Sequence, residues 1–283
     1  MSRKFHPYKL KVKGAQKEFT RPTIMGILNV TPDSFYSGSR MGSDEKKIGE
    51  RVEQILQEGG DMIDIGAYST RPNAAEISAE EEYSRLQTGL RVIRSIDDST
   101  IVSVDTFRAD VARRCVEEFG VDIINDVSGG TLDQEMFSVV SKLKVPYILM
   151  HMRGTPATMQ NLTQYDDVTS DVITDLKAKM ERLRQMGVDD VILDPGFGFS
   201  KTVAQNFELL NHLEQFIGLN APLLVGISRK SMIFRTLECT PVESLNGTTV
   251  LNTISLMKGA QILRVHDVKE AVEVRKLCGA MDA

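Results

Sequence analysis

Apolar and polar positions along this chain fall into two alternating patterns. Runs of three to five apolar residues, each ending on a polar side chain, give way to segments in which apolar residues recur every three or four positions. The first run, Ile24 to Leu28, lies between Pro22 and Pro32 and is too short for an ordinary helix, so it predicts a strand buried on both faces. It stops at Asn29 and opens into the polar loop V-T-P-D-S-F, residues 30 to 35. From Asp44 to Glu58, the residues Ile48, Val52, Ile55 and Leu56 share a helical face, and Gly59-Gly60 ends the segment. The same alternation then predicts strands at Met62 to Ile65, Ile101 to Val104, Asp122 to Ile124, Pro146 to Met150, Val191 to Leu193, Leu223 to Val225 and Gln261 to Leu263. Helices are predicted between them near 79–95, 108–119, 133–143, 166–186, 203–212 and 244–257, with a last one near 268–277. Upstream, Tyr8-Lys-Leu-Lys-Val-Lys followed by Gly14 predicts a small hairpin, expected to cover the bottom of the main fold.

Eight strand-helix units predict an α/β fold, a single-domain (β/α)8 TIM barrel over residues 23–283 with an N-terminal hairpin extension over 1–22. The length of 283 residues suits one such barrel, for which about 250 is typical. An open doubly wound sheet would need a Gly-rich phosphate turn after the first strand, and Asn29-Val-Thr-Pro is not one. No low-complexity linker or domain boundary interrupts the pattern.

Composition narrows the function classes. The apolar content of 41% and charged content of 26% are those of a globular protein in water. With 34 basic and 39 acidic residues the net charge is −5, which offers nothing to nucleic acid. No apolar run approaches the roughly 20 residues that span a bilayer, and the polar N-terminus lacks a signal-peptide core, so a cytoplasmic location is expected. Cys115, Cys239 and Cys278 are widely spaced and form no C-x-x-C pair, which marks them as structural thiols.

The residues at the strands' carboxyl ends are Asn29, Asp64, Asp105, Asn125, His151, Asp194, Lys230 and Arg264, none of them apolar. In a barrel these points converge on one mouth. Asp105, Asn125 and Asp194 supply acceptors and an amide donor suited to a planar heterocycle edged with N–H groups, because a carboxylate makes two parallel hydrogen bonds to a 2-amino-pyrimidinone edge. Lys230 could donate to a ring carbonyl or nitrogen, and the flat guanidinium of Arg264 could lie against an aromatic face. Asn29, Thr70, Arg71, Arg264 and His266 offer donors fit for phosphate oxygens, and Asn29 and Asp33 offer the oxygen ligands that Mg2+ takes. Ser231 stands where a helix starts after Lys230 and could receive a small carboxylate. Taken singly, these residues have plainer readings: Asp105 as a helix cap, Asp194 as the start of a Pro-Gly turn, Lys230 as a solvated rim lysine and His266 as a cap.

Seven segments taken in order carry a resemblance: I-M-G-I-L-N-V-T-P-D-S-F (24–35), D-I-G-x-x-S-T-R-P (64–72), S-V-D-T (103–106), I-N-D-V-S-G-G (124–130), D-P-G-F-G-F (194–199), S-R-K-S (228–231) and R-V-H-D-V (264–268). Together they resemble the dihydropteroate synthases. The resemblance implies a transferase of folate biosynthesis that joins 6-hydroxymethyl-7,8-dihydropterin pyrophosphate to p-aminobenzoate, assisted by Mg2+, as a homodimer and sulfonamide target. It implies a pterin pocket at Asp105, Asn125, Asp194, Lys230 and Arg264, and a diphosphate site at Asn29, Arg264 and His266 with Asp33 as a further catalytic group. Phe35, Thr70, Arg71, Pro72, Lys230 and Ser231 would frame the p-aminobenzoate place and its loops, which fall on 30–41 and 67–74. The chain departs from the family pattern at D-S-F-S-D-G-G, here followed after Phe35 by Tyr36-Ser37-Gly38-Ser39, and at G-G-E-S-T-R-P-G, here with Ala67, Tyr68 and Asn73. Two rival expectations are a methyltetrahydrofolate:corrinoid methyltransferase-like pterin-binding barrel, which has no use for a pyrophosphate site, and a pterin-binding protein without catalysis.

Overall fold

The structure, a computed structural model, describes residues 5–31, 41–69 and 76–281. It opens with an antiparallel hairpin, β1 (Tyr8–Val12) and β2 (Ala15–Phe19), paired from Tyr8 opposite Phe19 to Val12 opposite Ala15. Lys13 and Gly14 form the turn at φ values of 52° and 73°, the backbone that a two-residue hairpin loop requires.

Eight parallel strands follow: β3 (Thr23–Asn29), β4 (Met62–Gly66), β5 (Ile101–Asp105), β6 (Ile123–Asp126), β7 (Tyr147–Met150), β8 (Val191–Asp194), β9 (Leu224–Val225) and β10 (Ile262–Val265). Neighbours run β8-β7-β6-β5-β4-β3-β10-β9, and a parallel bridge between Leu193 and Leu223 closes the ring. The helices are α1 (Met41–Gln57), α2 (Ala79–Ile96), α3 (Ala109–Phe119), α4 (Met136–Leu143), α5 (Val168–Gln185), α6 (Val203–Asn211), α7 (Ser231–Thr236), α8 (Leu245–Met257) and α9 (Val268–Met281). This is the (β/α)8 barrel that the hydrophobic pattern predicts. Asp105, Asp126 and Asp194, expected just beyond their strands, are the last residues of them. Conversely, α4 starts three residues after the expected Asp133, because that carboxylate accepts from the backbone of Glu135 (3.0 Å) and of Ala109 (2.8 Å), the first residue of α3.

Strand alternation sorts the side chains into two sets. Ile24, Leu28, Ile63, Ile65, Val102, Val104, Leu149 and Leu193 face outward into one core shared with the helices. One inward residue from each strand, Met25, Met62, Ile101, Ile123, Ile148, Ile192, Leu224 and Ile262, forms a bottom layer on which Tyr8, Leu10, Val12 and Phe19 of the hairpin pack. Each such burial is worth about 1.5–3 kcal/mol. The hairpin thus stoppers the amino-terminal end of the barrel with hydrocarbon. Two residues further along, the inward positions turn polar: Asp64 on β4, Ser103 on β5, Asn125 on β6, Asp194 on β8 and Arg264 on β10. Among the described residues, no helix is long and apolar enough to cross a membrane.

Candidate active site

The polar inward layer is tied together by Arg264. Its Nε donates to Asp64 Oδ2 at 2.6 Å and its Nη2 to Asp105 Oδ2 at 2.7 Å. The same Asp64 oxygen accepts from Asn125 Nδ2 at 3.1 Å. Strand register puts Asp105 opposite Asn125 and Asp64 opposite Ser103, two residues below Asp105, so three consecutive strands bring these groups to neighbouring levels at the mouth. Burial disfavours the guanidinium charge, but Asp64 and Asp105 outweigh it and hold Arg264 cationic. Burial raises the Asp105 carboxyl to about 7, with Arg264 opposing.

Across the mouth, Asp194 ends β8 and accepts from the backbone of Gly196 through Oδ1 at 2.8 Å. Its carboxyl is raised by burial and lowered by the nearby charges of Lys230 and Arg264. Lys230 caps the start of α7, donates to the Phe197 carbonyl and lies 4.8 Å over the Phe199 ring. Burial brings its ammonium down to about 8, against the pull of Asp194. Beside Asp194 an apolar wall is built from Val127, Met150, Met152 and Met159, with Phe107, Leu132 and Phe199 packed against it. Soft, polarisable methionines suit the face of a flat aromatic ring.

The segments 228–231 and 264–268 interlock. The His266 backbone N–H donates to Ser228 Oγ at 3.2 Å, and Arg229 grips Asp267 with two bonds of 2.9 and 2.8 Å. Arg229 also donates to the carbonyls of Pro241 and Val242, and Arg51 of α1 donates to the His266 carbonyl. These ties set Lys230, Arg264 and His266 beside one another. Burial and the Arg264 charge lower His266 to about 4, so its imidazole is neutral at pH 7.

Asp105, Asn125, Asp194, Lys230 and Arg264 are therefore brought to one mouth, with Asn29 at the end of β3, His266 just past β10 and Ser231 as the first residue of α7. Asp33, Phe35, Thr70, Arg71 and Pro72 lie outside the described residues. His151 is a correction. It follows the inward Met150, so alternation turns it away from the mouth, and it is buried against Lys201. For Mg2+, no group of three or more His, Cys, Asp or Glu among the described residues could hold a metal ion. Asn29 offers one oxygen, which fits an ion taking one or two protein ligands and the remainder from phosphate and water.

Residues 25–266 match the profile of the pterin binding enzyme family. The chain is 40% identical over 276 residues to the dihydropteroate synthase of Escherichia coli (strain K12), covering 96% of each. The chain belongs to the dihydropteroate synthase family of pterin-binding enzymes. It is also 40% identical over 281 residues to the folate synthesis bifunctional protein of Arabidopsis thaliana; 93% of this chain is matched, but only 58% of that longer protein. The structure of Xanthomonas albilineans dihydropteroate synthase with 4-aminobenzoic acid superposes with a TM-score of 0.86 at 34% identity, covering 97% of this chain and 98% of that one. A second structure of the same enzyme, in complex with 7,8-dihydropteroate, superposes equally well, with a TM-score of 0.86 at 32% identity over 98% and 99% of the two chains.

Against the usual pattern of the dihydropteroate synthases, Tyr68 replaces an acid. Its ring meets Phe107 edge-on at 5.1 Å and lies 5.3 Å from the Arg108 guanidinium, which also pairs with the buried Glu82. An aromatic contact thus stands where the family's carboxylate would be. The strand-end reading names Asp64 but not its role as the brace of Arg264, and it misses the apolar wall beside Asp194 and Lys201. Counting alternation from Met62 finds Asp64 and from Ile148 finds Met150. Lys201 lies in a loop seven residues past Asp194, where no periodicity operates.

Proposed function

We propose that the protein condenses 6-hydroxymethyl-7,8-dihydropterin pyrophosphate with p-aminobenzoate, forming 7,8-dihydropteroate and releasing pyrophosphate. The observation that carries this is the convergence of Asp105, Asn125 and Asp194, all acceptors, with Lys230 and Arg264 at a single mouth flanked by an apolar wall. Asp194 suits the 2-amino-pyrimidinone edge of the pterin, Asn125 and Asp105 suit its remaining N–H groups, and Lys230 can donate to the ring. Arg264 and His266, at the end of β10, are the proposed partners of the diphosphate carried by the exocyclic methylene.

The reaction breaks the bond between that methylene carbon and the diphosphate oxygen. The electron-rich reduced pterin can delocalise the cation left behind, and the arylamine nitrogen then bonds to the carbon. An arylamine is already neutral near pH 7, so no dedicated general base is required, and its surplus proton passes to solvent or to the departing diphosphate. The protein holds the ring, meets the charge of the leaving group with Arg264 and hydrogen-bonds it through His266, and keeps water from the carbon until the amine attacks. Mg2+, when bound beside Asn29, would supply further charge for the diphosphate oxygens. Ser231, with the backbone N–H groups at the start of α7, is the proposed seat of the p-aminobenzoate carboxylate, a place for which sulfonamides compete.

A homodimer is part of the same proposal. Val250 and Met257 on α8 and Leu277 and Met281 on α9 are exposed apolar side chains on two helices packed together, a face suited to a second copy. The cytoplasm, where both substrates are small soluble anions, is the proposed location. Replacing Asp194 with Ala tests the site: calorimetry should detect no pterin binding, and near-normal affinity would refute Asp194 as the ring's anchor.

A further inference from the structure

We propose that Lys201 is a positioning residue for the pterin pocket, its buried ammonium holding the turn from Asp194 to Phe199 in the shape that presents the Asp194 carboxylate to the ligand. This role presupposes that the mouth binds a pterin, but Lys201 lies outside the residues assigned to hold one.

Lys201 is 4% exposed. Its Nζ lies 3.0 Å from the Gly196 carbonyl, 3.1 Å from the Phe199 carbonyl and 3.1 Å from His151 Nδ1. An ammonium has three protons to donate, and here it meets three acceptors. His151 must then present an unprotonated Nδ1, in keeping with burial and the Lys201 charge pushing its imidazole down to about 2. The turn therefore closes around its own lysine.

Gly196 transmits the effect. Its backbone N–H donates to Asp194 Oδ1 at 2.8 Å while its carbonyl accepts from Lys201, so the residue is bonded at both ends between the ammonium and the carboxylate. The fit leaves no slack: Gly196 has φ of 71°, and a Cβ there would stand 2.0 Å from the His151 carbonyl oxygen. The His151 N–H in turn donates to the Asp194 carbonyl at 3.0 Å. One residue further, the Phe197 carbonyl accepts from Lys230. Without the ammonium, the carbonyls of Gly196 and Phe199 lose a buried donor and the turn is free to rotate Asp194 and the Lys230 acceptor out of register.

The charge also bears on the pocket. Asp194 is the foremost group favouring the ammonium, while burial draws Lys201 down to about 7. A buried charge this costly would be replaced at little loss by an apolar side chain if packing were its only task.

The test uses the whole 283-residue chain with Lys201→Met and Lys201→Gln. Binding of 6-hydroxymethylpterin is measured by calorimetry, and KM is measured for each substrate with the other saturating. For Lys201→Met, the pterin Kd and KM should rise roughly ten- to a hundredfold, the size of effect expected for lost hydrogen bonds to a charged group, with the p-aminobenzoate KM unchanged. Gln, which restores N–H donors without charge, should fall between Met and wild type. Wild-type pterin affinity in both variants, or equal losses in both KM values, would overturn the proposal. If the Met variant does not fold, Gln alone decides: a raised pterin Kd with an unchanged p-aminobenzoate KM supports the role, and unchanged values overturn it. Failure of the wild-type protein to bind the pterin would refute the proposed function instead.

Discussion

Arg264 Nε stands 2.6 Å from Asp64 Oδ2, and Asp64 is completely buried. The other carboxylate oxygen, Oδ1, has no hydrogen-bond partner among the described residues. Asp64 thus directs its bonding capacity, through Oδ2, at Arg264 and Asn125, the one proposed to meet the leaving group and the other the ring. Removing one partner of a buried ion pair strands the other, at a cost of about 3–5 kcal/mol. Asp64→Ala is expected to lower stability by about that amount in urea unfolding and to reduce kcat at saturating substrates, because Arg264 loses its direction. A stable variant with full kcat would show that Arg264 does not depend on this brace.

His266 should make the proposed diphosphate site pH-sensitive. In the ligand-free protein its imidazole is lowered to about 4, first by burial and then by Arg264. An anionic diphosphate beside it favours the charged form and raises that value. Binding then takes up a proton, so affinity strengthens as pH falls from neutrality and the gain levels off beneath about 4. Calorimetry of pyrophosphate binding in two buffers of different ionisation enthalpy should report net proton uptake that is reduced in His266→Gln. Equal uptake in both proteins would place the linkage in the ligand alone.

Arg229 does not enter the mouth, yet it joins the segments that carry Lys230 and His266. Its guanidinium makes two bonds to Asp267 and also reaches the Pro241 and Val242 carbonyls. A lysine cannot span that fork. Arg229→Lys should leave the circular dichroism spectrum unchanged and lower kcat/KM by roughly tenfold, equivalent to about 1.4 kcal/mol. Unaltered steady-state kinetics would mean that the interlock has no bearing on the site.

The strand-helix alternation was legible because each barrel strand is a short apolar run with helical periodicity on either side, and the polar residue ending it stands out. That signal leads directly to Asn29, Asp105, Asn125 and Asp194. It also misleads at His151, since the end of a run says nothing of which face a side chain takes; only alternation from Ile148 and Met150 turns it away. The hairpin's place as a stopper was legible as well, since Tyr8, Leu10 and Val12 alternate with lysines and so leave one apolar face to bury. Lys201, Arg229 and the methionine wall beyond Met150 were not legible, because their roles arise from loops meeting across the barrel. A lysine in a polar loop carries no mark of burial until the turn around it is seen.

Mixing the purified protein with 6-hydroxymethyl-7,8-dihydropterin pyrophosphate, p-aminobenzoate and Mg2+ tests the proposed reaction most directly. Pyrophosphate should appear only when both substrates are present, in equal amount to 7,8-dihydropteroate, and a sulfonamide should suppress its release in competition with p-aminobenzoate. A protein that binds the pterin but releases no pyrophosphate, or that instead moves a methyl group from methyltetrahydrofolate to a corrinoid protein, would contradict the account.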